Sequence, residues 1–114
     1  MTKPVQVAEV DAVEAARLSD SGEVLLLDVR EDDEWDSGHA PQATHTSLGR
    51  LDPAAVPPAR PVIAVCRSGN RSGTAALMLA AAGHQVRNLR GGMKAWADAG
   101  LPVVRPDGTA GEVS

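Results

Sequence analysis

At 114 residues the chain is long enough for one domain with its own core and too short for two comfortable ones. Its hydrophobic residues, 43% of the total, are almost all Ala, Val and Leu, with two Trp and no Phe or Tyr, and the formal net charge is −4. Few aromatic platforms and an acidic balance argue against a nucleic-acid partner, whose phosphates and bases call for basic and stacking side chains.

In chain order, Val5 to Val7 reads as a short first strand. Asp11 and Glu14 have the spacing of a capping box, and Ala12, Val13, Ala15, Ala16 and Leu18 suit a helix ending near Ser21-Gly22. Val24-Leu25-Leu26-Leu27 is an unbroken apolar run between turn signals, the pattern of a strand buried on both faces of a parallel sheet. After Asp28-Val29-Arg30 come Glu31-Asp32-Asp33-Glu34, acids that suit the first turn of a helix, where they meet the positive end of its dipole. Ser37-Gly38-His39-Ala40-Pro41 ends that helix, and Pro53, Pro57, Pro58 and Pro61 leave room for little more than one helical turn in the connector that follows. Val62-Ile63-Ala64-Val65 is a second buried strand, and Ser72 to Ala82 is strongly helical, stopped by Gly83. Val86 to Leu89 forms another strand, and Gly91-Gly92 lead into a last helix over Met93 to Ala99 with Trp96 facing inward. The aperiodic stretch from Arg105 to Ser114 is expected to be a flexible tail, leaving residues 1–104 as the single domain. Strands alternating with helices give an α/β fold, in which ligands bind beyond the carboxyl ends of the strands; Cys66 and Asp28 both fall there.

The segment that carries chemistry is Cys66-Arg67-Ser68-Gly69-Asn70-Arg71-Ser72. A strand delivers a thiol into a tight turn, and a helix begins straight after it. The N–H groups of such a turn and of the helix start form an anion site, and the same field, with Arg67 and Arg71, favours a thiolate. A lone cysteine is more often a small buried hydrophobe than a nucleophile. Here a filler would belong inside Val62 to Val65, not among arginines, serines, glycine and asparagine.

Several ordered segments then resemble the rhodanese-like family: Leu27-Asp28-Val29-Arg30 with Glu34-Trp35 and Gly38-His39, the Cys66 to Ser72 loop, and Leu89-Arg90-Gly91-Gly92-Met93 with Ala95-Trp96. The resemblance runs from about Val7 to Pro102. It implies a five-stranded parallel sheet flanked by helices on both faces, and an active cysteine after the fourth strand, matching Cys66. Similar sulfurtransferases use Cys-x4-Arg, the spacing of Cys66 and Arg71, whereas related phosphatases and arsenate reductases use the wider Cys-x5-Arg; the sixth position here is Ser72.

The expected activity is that of a thiosulfate sulfurtransferase. Cys66 is the catalytic residue and carries a persulfide; Arg67, Ser68, Gly69, Asn70, Arg71 and Ser72 bind the anionic donor. The donor is thiosulfate or a similar small molecule, and the acceptor a small thiol or protein thiol, because one cysteine cannot resolve its own persulfide as an internal disulfide. An alternative is an interaction module with Cys66 as a persulfide or redox sensor; a phosphatase or arsenate reductase is the third reading. Asp28 is expected to brace the active loop through hydrogen bonds, with Arg30 beside it; the blander reading is a surface pair with Glu34. His39 is implied by the resemblance to stabilise its loop, His45 is a candidate for the pocket entrance, and His84 is expected to be exposed. Three scattered histidines make no zinc set, and Gly91-Gly92 fit a tight turn better than a phosphate cradle, so neither metal nor cofactor is expected. A single cysteine, no apolar signal core after Met1 and no run near the ~20 residues that span a bilayer point to a soluble, cytoplasmic protein.

Overall fold

The computed structural model describes residues 7–114. Five strands, β1 (Ala8–Val10), β2 (Leu25–Asp28), β3 (Thr44–His45), β4 (Val62–Val65) and β5 (Val86–Leu89), form one parallel sheet in the order β1-β5-β4-β2-β3. Four helices connect and cover it: α1 (Ala12–Asp20), α2 (Asp32–Ser37), α3 (Asn70–Ala81) and α4 (Gly92–Asp98).

The apolar runs form strands because alternate residues enter opposite faces. Leu26, Ile63 and Val65 join Ala12, Ala15, Ala16 and Leu18 of α1 and Met93 and Trp96 of α4 in one core. Leu27 and Val62 join Ala75 and Leu79 of α3, Val56 of the connector, and Cys66 in the other. A sheet with a core on each face has no solvated side, which explains why β2 and β4 show no polar alternation. With so few large side chains, Trp96 is the bulkiest fully buried residue, and its indole N–H donates to the Pro102 carbonyl at 2.8 Å.

The sheet order reverses between β2 and β4. From β2 the chain moves outward to β3, returns to β4 on the other side of β2, and continues through α3 to β5. Loops leaving the carboxyl ends of β2 and β4 therefore diverge and open the crevice where such sheets bind ligands. Asp28 ends β2 and Cys66 follows β4, so both stand at its floor.

Four expectations shift. Val5 and Gln6 lie outside the described residues, Val7 precedes the strand, and β1 is Ala8–Val10, whose register against β5 buries Val10. The capping box at α1 is half made: Asp11 accepts from the Glu14 N–H at 2.8 Å, but the Glu14 carboxylate turns to Arg17. The connector holds two short 3-10 turns, Leu48–Arg50 and Pro53–Ala55, the second started by the Asp52 carboxylate accepting from the Ala54 N–H. Residues 105–114 follow a defined course. Val104 bridges His39 and Ala110, the Glu112 N–H donates to the Ser37 carbonyl at 2.9 Å, and Val113 packs on the core. Two glycines permit this close seat, since a Cβ on Gly38 would lie 2.5 Å from the Glu112 carbonyl oxygen and one on Gly111 only 2.8 Å from the Gly38 Cα.

Candidate active site

β4 carries Cys66 to the crevice. The next residues turn sharply at Gly69, whose φ of +113° is a conformation that glycine adopts freely, and α3 begins at Asn70. This folds the first turn of α3 back over the sulfur. Sγ accepts from the Gly69 N–H at 3.0 Å and lies 3.2 Å from the Ser72 hydroxyl, and the residue is only 1% exposed. Burial pushes the Cys66 thiol up. The Ser72 hydroxyl and the N–H groups of Ser72, Gly69 and Ser68 outweigh burial and hold it below its ordinary value.

One of these N–H groups is aimed from the far side of the loop. The carbonyls of Cys66 and Arg67 accept from the Met93 and Lys94 N–H groups, at 2.7 and 3.1 Å, at the start of α4. The N–H and C=O of a trans peptide point in opposite directions, so anchoring the Arg67 carbonyl outward turns the Ser68 N–H, on the same peptide, toward the sulfur. The anchoring demands a very close approach. A Cβ on Gly92 would lie 2.3 Å from the Cys66 carbonyl oxygen, and Gly92 also has φ +59°. The Gly91-Gly92 pair, read from sequence as a turn, is thus a turn that also builds the site.

The two arginines of the loop behave differently. Arg71, in the first turn of α3, points both guanidinium nitrogens at Glu34 of α2, with contacts of 2.5 and 2.8 Å. This pair holds the Glu34 carboxyl down at about 2 and pushes Arg71 further up, the Cys66 charge adding to the latter. Glu34 also accepts from the Glu31 N–H at 3.1 Å, so one carboxylate starts α2 and steers Arg71. Arg67 is exposed and its Nε donates to the Ser114 carbonyl at 2.8 Å; it lines a groove of about 550 Å³ with Lys94, Ala97, Asp98 and Val113. Its guanidinium thus lies against the C-terminal segment. Ser68 and Asn70 are exposed, and Ser68 serves through its backbone.

Asp28 and Arg30 form a fully buried ion pair at 2.8 Å, and Asp28 also accepts from the Arg30 backbone N–H. Both bonding expectations for Asp28 and Arg30 change. Asp28 makes its bonds to Arg30 and not to the Cys66 loop, and neither residue pairs with Glu34, which Arg71 occupies. Arg30 instead ties β2 to the end of α2 by donating to the Gly38 carbonyl at 2.8 Å.

The Trp35 ring stacks on His39, with centroids 3.5 Å apart, and on His45 at 4.8 Å. His39 bonds the Trp35 carbonyl through Nδ1, His45 bonds the Arg30 carbonyl through Nε2, and His84 bonds the Pro53 carbonyl. All three histidines are held by backbone carbonyls, and His84 is half-buried where exposure was expected. Sequence reasoning also missed Asn88 of β5, whose amide reaches both the Gly69 carbonyl and the Ser72 hydroxyl. Its sequence signal is faint, because β5 carries a second polar residue, Arg87, beside it.

The sequence profile of the rhodanese-like domain matches residues 11–99. The chain is 41% identical over 107 residues to a protein named sulfurtransferase from Allochromatium vinosum, an alignment covering 90% of this chain and 99% of that one. It is 35% identical to thiosulfate sulfurtransferase 18 of Arabidopsis thaliana, over 90% of this chain and 87% of the relative. A rhodanese-related protein from Thermoplasma volcanium superposes with a TM-score of 0.78 at 24% identity, over 85% of this chain and 97% of that one, which is a likeness of fold. The active loop, the sheet that carries it and these relatives agree: the chain belongs to the rhodanese-like domain family.

Proposed function

We propose that this chain is a sulfurtransferase that moves a sulfane sulfur from thiosulfate, or a similar small donor, to a thiophilic acceptor through a Cys66 persulfide. The observation that carries the reading is the convergence of the Gly69 N–H and the Ser72 hydroxyl on a buried sulfur at the start of a twelve-residue helix. Such a site stabilises an anionic sulfur twice, as thiolate before the transfer and as persulfide after it.

The Cys66 thiolate attacks the outer sulfur of thiosulfate. The new S–S bond forms as the donor's own S–S bond breaks, and sulfite leaves with the bonding pair. The terminal sulfur keeps the negative charge and lies against the loop N–H groups. An external nucleophile, cyanide or a thiolate, then attacks that sulfur, and Cys66 departs as thiolate. With a single cysteine in the chain, the acceptor comes from outside. The names of the relatives in Allochromatium and Arabidopsis support the class of reaction.

Against phosphoryl or arsenate chemistry stands the length of the loop: Cys66 and Arg71 have the Cys-x4-Arg spacing of similar sulfurtransferases, one residue shorter than the Cys-x5-Arg loop of related phosphatases and arsenate reductases. The test is thiocyanate formation from thiosulfate and cyanide, run beside hydrolysis of an aryl phosphate. Cysteine-dependent thiocyanate release without phosphatase turnover is expected. Phosphate release without thiocyanate would replace the proposal with a phosphatase, and neither product from folded protein would favour a sensing module.

A further inference from the structure

Asn88 sits on β5, opposite Ala64 of β4, 9% exposed, in a strand whose neighbours Val86 and Leu89 pack into the two cores. Its amide has one orientation that satisfies both ends. The Gly69 carbonyl accepts only, so Nδ2 must face it, at 3.0 Å; Oδ1 then faces the Ser72 hydroxyl, at 2.6 Å. Because Oδ1 is itself only an acceptor, the Ser72 proton must lie on that short contact.

The same hydroxyl oxygen is 3.2 Å from Cys66 Sγ. A hydroxyl has one proton; when the sulfur is ionised, Sγ and Asn88 Oδ1 compete for it, with the Gly69 carbonyl, at 3.3 Å, the longest of the three contacts. With Cys66 as a thiol, the chain of bonds runs S–H to Ser72 Oγ, and Ser72 O–H to Asn88 Oδ1, with every group served. With Cys66 as a thiolate, the Ser72 proton serves the sulfur only by leaving Asn88, whose Oδ1 then faces the Ser72 lone pairs at close range. Once the outer sulfur of a persulfide carries the charge, the Cys66 sulfur no longer competes and the proton returns to Asn88.

We propose that Asn88 is a positioning residue that acts through Ser72, holding the hydroxyl proton off the sulfur while Cys66 is neutral and releasing it only to the thiolate. Asn88 thereby restrains the ionisation of Cys66 and makes the Ser72 donor follow the charge on the sulfur through the transfer cycle. The cycle rests on the sulfurtransferase reading; the proton competition does not, and it is read out by thiol ionisation without any sulfur donor.

The experiment is a double-mutant cycle on the Cys66 pKa, followed by ultraviolet thiolate absorbance, to which the single cysteine contributes alone. Asn88→Ala frees the Ser72 proton for the thiolate, so the pKa falls by about one unit in the native background. In a Ser72→Ala background the same substitution leaves it nearly unchanged. An unchanged or raised pKa on Asn88→Ala, or an equal shift in both backgrounds, would overturn the proposal, the last assigning Asn88 the holding of Gly69 alone. Asn88→Val, whose β-branched side chain suits β5, carries the same expectations if the alanine variant does not fold. In the unsubstituted protein, the side-chain carbonyl carbon of Asn88 should titrate with Cys66 by NMR, and a flat trace through that titration would equally overturn it.

Discussion

Substituting Gly92 by alanine tests whether α4 builds the Cys66 loop from behind. The new Cβ would lie 2.3 Å from the Cys66 carbonyl oxygen and 2.6 Å from the Arg67 carbonyl carbon and oxygen, all of them backbone atoms. The left-handed backbone, at φ +59°, costs alanine about 1–2 kcal/mol. Relieving the overlap separates α4 from the loop and loses the Met93 and Lys94 hydrogen bonds, each worth about 1 kcal/mol. The sum is about 3–4 kcal/mol, a large part of a small domain's stability, and lowers the melting midpoint by about 12–16 °C. Gly22 is the control, because it has φ +78° with nothing within 4 Å of an added Cβ. Gly22→Ala should lose only the conformational part, about 4–8 °C. The site should respond as well: once the Arg67 carbonyl is released, the Ser68 N–H swings off the sulfur and the thiol pKa of Gly92→Ala rises, while that of Gly22→Ala does not. Calorimetry and a thiolate titration on both variants decide the matter. Equal melting losses with unchanged thiol pKa in both would refute the reasoning.

Glu34→Gln should lower stability at neutral pH by about 1–2 kcal/mol, the partly exposed Arg71 pair being screened by water. A carboxyl held at about 2 in the folded protein, against an ordinary 4.5, contributes fully above pH 4.5 and loses that contribution as pH falls toward 2. Urea midpoints of parent and variant should therefore converge over that window. Asp28→Ala should cost about 3–5 kcal/mol by leaving the Arg30 charge buried and unpaired, and Asp28→Leu combined with Arg30→Met should recover part of it in urea unfolding. Ser72→Ala removes a donor that stabilises the thiolate, so the Cys66 pKa should rise by about one unit and the acid limb of activity, where the thiolate is lost, should move to higher pH with it. Gly38→Ala pushes a Cβ into the Glu112 backbone, so amide exchange at Gly111 and Glu112 should accelerate while the Cys66 pKa stays in place.

The parts of the fold legible in the sequence are those with a local hydrophobic signature. Val62 to Val65 and Leu25 to Leu27 are continuous apolar runs because both sheet faces are covered, and Ser72 to Ala82 shows helical spacing because only one side of α3 meets the sheet. β3 left no such mark. It is two residues long at the sheet edge, Thr44 exposed and His45 half-buried, so pairing with Leu27 and Asp28, not burial, makes it a strand. The position of Cys66 was legible because a thiol amid polar and glycine residues after a buried strand is chemically out of place. The function of its neighbours was less so. Whether Arg71 faces a donor or Glu34, and whether Arg67 faces the loop or the Ser114 carbonyl, depends on α2 and on the C-terminal segment, which lie 37 and 47 positions away. The seat of residues 105–114 was invisible for a related reason, since it rests on backbone fitted between Gly38 and Gly111 and not on an apolar pattern.

The central claim is a persulfide on Cys66, and intact-protein mass spectrometry after incubation with thiosulfate tests it most directly. The account predicts one added sulfur atom, mapped to Cys66, absent from Cys66→Ala and removed by cyanide with release of thiocyanate. Folded protein that stays unmodified by thiosulfate, or carries the added sulfur equally after Cys66→Ala, would contradict it.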